Sequence, residues 1–323
     1  MTEPLPSQSA VGKTPALKEP QLVEAGDGTI WVLWLEQRPA ERGRTTALLR
    51  RFGSDETPTE LTPQPINLRS RVHDYGGGVC CAALQGQTLL LLWIDGGDGG
   101  LWRQDWRLPG ESVEVPSPCG DPRRLTVPGP WQLADGLVDQ RRNRWIGVRE
   151  IDGRDQLVSV ALDGCDQTPE LLHQPEDFAG YACLSPDGQQ LAWVEWQQPA
   201  MPWDSSQLCC AELCSDGRLG PAQVLAGGDG VSVFQPQWLP DGSLVVAEDS
   251  SGWWNLIRRT STEAPWCRPW PMAAETAMPQ WVYGMSTTGW DGEGLLAAVC
   301  VEGCWQLRRL GLDGSSVTVS QPL

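Results

Sequence analysis

The stretch that decides the fold is LSPDGQQLAWVEW, residues 184–196, in which a Pro-Asp-Gly turn leads into a short apolar run. Glycine supplies the positive φ that tight hairpin turns need, and Asp-Gly between short apolar runs is a strong hairpin signal. The run LAWVEW has the length and the composition of a β-strand, without the 3.6-residue period of a helix. This stretch therefore predicts a β-hairpin with a mostly buried strand.

Similar turns recur along the chain at a nearly constant spacing. The turn glycines Gly136, Gly188, Gly242 and Gly292 follow one another at intervals of 52, 54 and 50 residues. Short runs rich in Val, Leu and Trp lie between the turns, and a period of this size is typical of propeller blades. The repeat therefore predicts strands arranged radially around a centre.

The repeat predicts an all-β chain that forms a β-propeller of about six four-stranded blades with little helix. The residues 1–21 are polar and rich in proline, and we expect them to form a flexible N-terminal segment. The propeller is expected over 22–323, with blade-like units at about 22–53, 75–113, 133–165, 180–217, 233–262 and 281–314.

The composition argues against several classes of partner. The formal net charge is −17, whereas a protein that binds nucleic acid needs a basic surface for the phosphates. The sequence contains no run of 18 apolar residues, and its first 20 residues contain no apolar core of a signal peptide. We therefore expect a cytoplasmic protein that binds neither nucleic acid nor membranes.

The cysteines do not have the spacing of a metal site. None of the 11 Cys residues forms a C-x-x-C pair, and adjacent pairs such as Cys80 and Cys81 would point to opposite faces of a strand. We therefore expect no metal site and no cofactor.

A second stretch, NLRSRVHDYGGG at 67–78, resembles a segment in the propeller of bacterial peptidases of the prolyl oligopeptidase family, in the acylaminoacyl- or dipeptidyl-peptidase-like branch. Other similar segments follow in the same order, including GWWNL at 252–256 and PQWVYGMST at 279–287. Asp74 stands where the family usually has Glu. The resemblance extends from Leu22 to about Gly314, and it implies a propeller of up to seven blades that covers the active site of a serine peptidase.

The resemblance also implies a partner, because family members continue into an α/β-hydrolase catalytic domain. The nucleophile of that domain lies in a G-x-S-x-G turn, which this sequence lacks, and GMSTTG at 284–289 does not have the second glycine. The histidines, His73 and His173, do not follow a candidate nucleophile in the order Ser, Asp, His. We expect a non-catalytic propeller that gates or selects peptides for a hydrolase domain, fused or in a separate chain. Without the family's final blade, we expect an incomplete or tightened ring, or association through its edge.

The segment 69–78 is expected to face the central channel or its mouth. Its three consecutive glycines, at 76–78, permit positive φ and close approach of the backbone, which suits a loop beside a ligand. Two arginines in the segment would share one face of an extended chain and could offer paired donors to a peptide carboxylate. The alternative is an internal salt-bridge cluster that locks the first two blades together. The candidate residues for substrate binding or gating are Arg69, Arg71, His73, Asp74 and Tyr75, joined through the resemblance by Trp253, Trp254, Asn255 and Ser286; none is expected to be catalytic.

Two other functions stay open. The chain could be a free-standing interaction scaffold like a WD40 repeat protein, although the Gly-His and Trp-Asp pairs of that repeat are missing. It could also be a propeller hydrolase with a metal in its channel, for which His73 and Asp74 are the candidate ligand pair. A metal site needs several convergent ligands with their own supporting contacts, which makes this second alternative the weaker one.

Overall fold

The computed structural model describes residues 14–25, 27–109 and 115–319. Six antiparallel sheets are arranged in a ring, which confirms the predicted all-β propeller. Helix in the described ranges is limited to three short 3-10 turns, η1 (Pro39–Glu41), η2 (Val72–Asp74) and η3 (Gln140–Arg142). Within the same ranges, no helix is long and apolar enough to cross a membrane.

Each sheet is a blade whose strands pair in chain order, except that β9 of blade 2 pairs with β7 and not with β8. Blade 1 contains β1 (Ala16–Glu24), β2 (Ile30–Arg38), β3 (Arg44–Arg51) and β4 (Thr59–Glu60); blade 2 contains β5 (Cys80–Gln85), β6 (Thr88–Ile94), β7 (Leu101–Arg107), β8 (Ser117–Pro118) and β9 (Arg123–Arg124); blade 3 contains β10 (Gln132–Asp139), β11 (Arg144–Ile151), β12 (Arg154–Ala161) and β13 (Glu170–His173). Blade 4 contains β14 (Phe178–Leu184), β15 (Gln190–Trp196), β16 (Gln207–Glu212) and β17 (Gln223–Gly227); blade 5 contains β18 (Val233–Trp238), β19 (Leu244–Glu248) and β20 (Asn255–Arg259); blade 6 contains β21 (Thr288–Trp290), β22 (Leu295–Val301), β23 (Cys304–Leu310) and β24 (Ser316–Thr318).

The first strand begins earlier than the first predicted unit. Strand β1 starts at Ala16, which pairs with Gln37 of β2, so 16–21 belong to blade 1 and not to a flexible segment. Lys18 continues this pairing opposite Leu35. The rest of the predicted flexible segment falls mainly on 1–13, which lie outside the described residues.

The burial of the second strand in each blade shows how the blades pack. In blades 2 to 5 these strands are buried on both faces, as in Leu191, Ala192, Trp193 and Val194 of β15. A blade that lies between two neighbours covers both of its faces, and its central strands therefore have continuous apolar runs. This packing accounts for the continuous apolar run LAWVEW at 191–196.

The junction between blade 6 and blade 1 is packed differently. The second strands of these two blades, β2 and β22, alternate between buried and partly exposed residues, so each blade has one incompletely covered face. Buried apolar clusters join blades 1 and 2, blades 2 and 3, blades 3 and 4, and blades 4 to 6, but none in the described ranges joins blade 6 to blade 1. On the two sides of this junction, Leu22 is 47% exposed and Val317 is 61% exposed.

The innermost strands of four blades contain a β-bulge that connects each blade to the next. The pairing of β1, β10, β14 and β18 shifts by one step, and a residue with positive φ lies in each shift: Glu19, Asp135, Tyr181 and Gln235. A bulge adds local twist and redirects a side chain, and here the redirected side chains reach the following blade. Gln235, for example, accepts a hydrogen bond from Thr287 N at 2.7 Å, just before blade 6.

Candidate functional site: a plug between two cavities

The segment that connects blade 5 to blade 6 crosses the inside of the ring. Tyr283 N donates to Gly76 O at 3.1 Å, and Tyr283 pairs as an isolated parallel bridge with Gly77, on the connection between blades 1 and 2. The Tyr283 hydroxyl lies 3.0 Å from Ala179 O in blade 4. The segments 75–77 and 281–283 thus contact opposite sides of the ring, and we call them together the plug.

The three consecutive glycines at 76–78 are explained by this crossing. All three have positive φ, of 73°, 90° and 58°. A Cβ on Gly76 would lie 2.5 Å from Ser70 O, one on Gly77 would clash with the backbone of Tyr283, and one on Gly78 would lie 2.7 Å from the backbone of Asp135. The sequence predicted close approach of the backbone to a ligand, whereas the structure shows close approach to other parts of the chain.

Asp155 anchors the plug from blade 3. Its side chain is completely buried and accepts hydrogen bonds from the Tyr283 hydroxyl at 2.6 Å and from Ala179 N at 3.0 Å. The Nε2 atom of His73 lies 2.8 Å from the other carboxylate oxygen. Burial lowers the pKa of His73, but the hydrogen bond and the negative charge of Asp155 outweigh it and raise that pKa above its usual value. Asp155 therefore favours the protonated form of His73, and its three contacts fix η2 and the plug to blades 3 and 4.

Two further acidic side chains lie beside the plug. Glu19 accepts hydrogen bonds from Gly78 N at 2.9 Å and Val79 N at 3.2 Å. Burial raises the pKa of Glu19 to about 8 despite these two donors. Burial likewise raises the pKa of Asp135 to about 6, against the hydrogen bonds from the backbone of Tyr181 and Gly284. At neutral pH, Glu19 is therefore mostly uncharged.

A cavity of about 620 Å³ lies on one side of the plug, between β1 and the segment that leads to blade 6. Its walls contain three basic side chains, Lys18, Arg42 and Arg69, and one acidic side chain, Glu19. The Arg42 and Arg69 side chains make no hydrogen bond or ion pair with the described residues. We call this space the basic cavity.

An apolar cavity of about 250 Å³ lies on the other side of the plug, against blade 4. Trp203 and Trp281 form part of its wall, with ring centroids 4.5 Å apart. Phe178 and Trp196 form another part, with stacked rings 5.6 Å apart. Trp281 is 60% exposed, which is unusual for so large an apolar side chain and leaves its surface free for a ligand. We call this space the aromatic cavity.

Proteins of known structure, rather than family models, reveal the relatives of this chain. No protein-family model matches the chain, and no curated protein matches it. A crystal structure of puromycin hydrolase is 30% identical, with a TM-score of 0.80, over 94% of this chain and 47% of that chain. A puromycin-hydrolyzing peptidase of Mycobacterium tuberculosis is 28% identical, with a TM-score of 0.79, over 95% of this chain and 47% of that chain.

Prolyl oligopeptidase B from Galerina marginata shares the fold at 13% identity, with a TM-score of 0.58, over 95% of this chain and 44% of that one. The chain has the β-propeller fold of these prolyl oligopeptidase-family structures and matches their propeller half. It spans about half the length of the solved structures that it matches. The plug and its two cavities therefore belong to the propeller half of such proteins.

The structure distributes some of the predicted residues of 69–78 between the two cavities. Arg69 borders the basic cavity, His73 borders the aromatic cavity, and Tyr75 borders both. Arg71 and Asp74 are exposed to solvent and border neither. The sequence also left open that 69–78 forms an internal salt-bridge cluster. Only His73 makes such a contact, with Asp155, because the other charged side chains of this segment form no ion pair with described residues.

The remaining predicted residues are not brought together. Ser286 is exposed and borders the basic cavity. Trp253, Trp254 and Asn255 border neither cavity. Asn255 is buried and accepts a hydrogen bond from Met272 N at 2.7 Å, which is a structural contact between blade 5 and its connection to blade 6. In the part of the chain that the structure describes, no group of three or more His, Cys, Asp or Glu side chains could hold a metal ion.

Proposed function

We propose that this propeller is the non-catalytic part of a prolyl oligopeptidase-type serine peptidase and that it selects peptides for an α/β-hydrolase domain. The observation that carries the proposal is the aromatic cavity beside the plug, in a propeller 30% identical to that of puromycin hydrolase. Its volume of about 250 Å³ suits one apolar or aromatic side chain. The sequence has no G-x-S-x-G turn, which supports a peptidase whose nucleophile lies in a hydrolase domain outside residues 1–323.

The substrates proposed for the assembled peptidase are peptides and related amides with an apolar or aromatic residue. Two similar proteins act on puromycin according to their names, which makes puromycin a suitable first substrate. In this proposal the exposed face of Trp281 contacts the apolar group. Aromatic contacts of this kind contribute about 0.5–1.5 kcal/mol in addition to the burial of apolar area. We also propose a cytoplasmic location, and we propose the acylaminoacyl- or dipeptidyl-peptidase-like branch on the motifs at 67–78 and 279–287.

The proposal is tested by recovering the tagged chain from its native host and treating the material with a fluorescent fluorophosphonate. We expect a labelled serine hydrolase in the same preparation, either as a continuation of the same polypeptide or as a second one, and we expect no label on residues 1–323. Label on a serine within these residues would contradict the non-catalytic role. Recovery of the chain without any labelled hydrolase would contradict the peptidase assignment and favour a free-standing scaffold.

A further inference from the structure

The basic cavity differs from the rest of the molecule in its charge. The chain has 41 acidic and 24 basic residues, yet this cavity is lined by Lys18, Arg42, Arg69 and the single acidic residue Glu19. In so acidic a protein, basic side chains usually find carboxylate partners, as Arg44 does with Glu41 and Glu60. The excess of positive charge in one concave site therefore needs its own explanation.

The two arginines are free to bind a ligand. Arg42 and Arg69 are both exposed, and neither guanidinium forms a hydrogen bond or an ion pair with a described residue. Lys18 Nζ has one neutral partner, Gln37 Oε1 at 2.9 Å. A guanidinium offers five donors in a planar fork that matches the two oxygens of a carboxylate.

The backbone holds these arginines from separate parts of blade 1 and its connection to blade 2. Arg42 follows η1 in the left-handed conformation, with φ of 59°, and its N donates to Pro39 O at 3.1 Å. Arg69 N donates to Ile94 O at 3.0 Å, which ties its main chain to the end of β6. The main chain of each arginine is therefore held in place before any ligand binds, so that only the side chains need to be ordered on binding.

The acidic residue in the cavity does not cancel this charge. Both carboxyl oxygens of Glu19 face the backbone donors of Gly78 and Val79. Because burial raises its pKa to about 8, Glu19 is mostly neutral at pH 7. The cavity thus keeps a net positive charge at neutral pH.

We propose that the basic cavity binds the terminal carboxylate of a peptide, with Arg69 and Arg42 as the residues that contact it. This deepens the proposed function, on which it rests, by naming which end of the peptide the propeller holds. Arg71, which sequence reasoning paired with Arg69, takes no part, because it borders neither cavity. Tyr75 borders both cavities, so a peptide with its carboxylate at Arg69 could place an apolar side chain in the aromatic cavity.

The test measures binding to the purified chain by isothermal titration calorimetry at low salt, without any hydrolase. The probes are acetyl-Ala-Ala-Phe with a free carboxylate, the same peptide with a C-terminal amide, and inorganic phosphate. We expect the free acid to bind at least tenfold more tightly than the amide, since a hydrogen bond to a charged group is worth about 1.5–3 kcal/mol and 1.4 kcal/mol is a factor of ten. Binding should weaken as salt is added, because salt screens exposed charges.

Variants assign the effect to particular residues. Arg69→Gln and Arg42→Gln should each weaken binding of the acid about tenfold and leave binding of the amide unchanged. Arg71→Gln removes the same charge from an exposed position nearby and should change the affinity less than twofold. Arg69→Lys keeps the charge and should recover part of the loss, and unchanged thermal midpoints show that each variant is folded.

The proposal is overturned if the acid does not bind, if the acid and the amide bind equally, or if Arg71→Gln weakens binding as much as Arg69→Gln does. It is also overturned if phosphate binds more tightly than the acid and the acid does not compete with it. The last result would identify the cavity as a phosphate site. Because the catalytic partner is not involved, any of these results leaves the peptidase assignment to be decided by the fluorophosphonate experiment.

Discussion

Replacing Tyr283 by Phe tests whether the plug contributes to stability. The change removes one hydroxyl, which donates to Asp155 Oδ2 at 2.6 Å and lies 3.0 Å from Ala179 O, and leaves the buried ring in place. A hydrogen bond to a carboxylate is worth about 1.5–3 kcal/mol, and Asp155 keeps Ala179 N and His73 as partners. We therefore expect a loss of about 2 kcal/mol in the free energy of unfolding.

The assay is urea denaturation followed by circular dichroism, supported by thermal melting. A loss of about 2 kcal/mol should lower the melting temperature by a few degrees, at roughly 2–4 °C per kcal/mol. Tyr75→Phe is the matched control, because Tyr75 is 73% exposed and its hydroxyl has no partner among the described residues. It should stay within about 0.5 kcal/mol of the wild type.

Asp155→Ala extends the same test to a larger effect. It would leave Ala179 N and His73 without their acceptor and the Tyr283 hydroxyl with Ala179 O alone, at about 1–3 kcal/mol for each group affected. The sum is comparable to the whole stability of an ordinary domain, about 5–15 kcal/mol, so we expect little folded protein. The reasoning is refuted if Tyr283→Phe is as stable as the wild type, or if Tyr75→Phe is equally destabilised.

Two further predictions concern the surroundings of the plug. The pKa of Glu19 is raised to about 8, so the stability that this side chain contributes is complete below its ordinary pKa of 4.5 and is lost as the pH rises through 8. Glu19→Gln should flatten this fall of the free energy of unfolding in urea denaturation measured from pH 5 to pH 9. An unchanged dependence of the free energy of unfolding on pH would contradict the assignment. Gly77→Ala should lower the free energy of unfolding by at least about 2 kcal/mol, because of backbone strain and the clash with Tyr283. Gly86 also has positive φ but open space around it, so Gly86→Ala should lower it by only about 1–2 kcal/mol in the same assay. Equal losses would show that the two segments of the plug do not approach each other tightly.

The local features of the fold could be predicted from the sequence, because they depend on neighbouring residues. The Asp187-Gly188 turn and the apolar run after it predicted a hairpin with a β-strand, and β15 is that strand. The bulges were not predicted. Glu19 and Asp135 occupy positive φ, which their residue types do not signal. Their side chains accept hydrogen bonds from Gly78 N, just before blade 2, and from Tyr181 N of blade 4, which are distant in the sequence.

The candidate site was predicted in part. The three glycines at 76–78 indicated an unusual backbone, but their partner, Tyr283, is far away in the sequence, and no local pattern connects the two. Arg69 and Arg71 were expected to share one face of an extended chain. Arg71 instead has ψ of 18°, just before η2, so the chain is not extended there and the two side chains separate. Nothing in the sequence indicated that Asp155 is buried and anchors the plug, since an acidic residue that follows a turn is usually exposed at the surface.

The selection of substrates by the aromatic cavity is the central claim, and one ratio measures it most directly. With the serine hydrolase recovered together with this chain, kcat/KM is compared for two peptides that differ only in Phe against Gly. Trp281→Ala should lower the Phe-to-Gly ratio by up to about tenfold, because aromatic contacts supply about 0.5–1.5 kcal/mol. Trp253→Ala, which removes a partly exposed Trp that borders neither cavity, should leave the ratio unchanged. An unchanged ratio in Trp281→Ala, or an equal fall in both variants, would contradict substrate selection by this cavity.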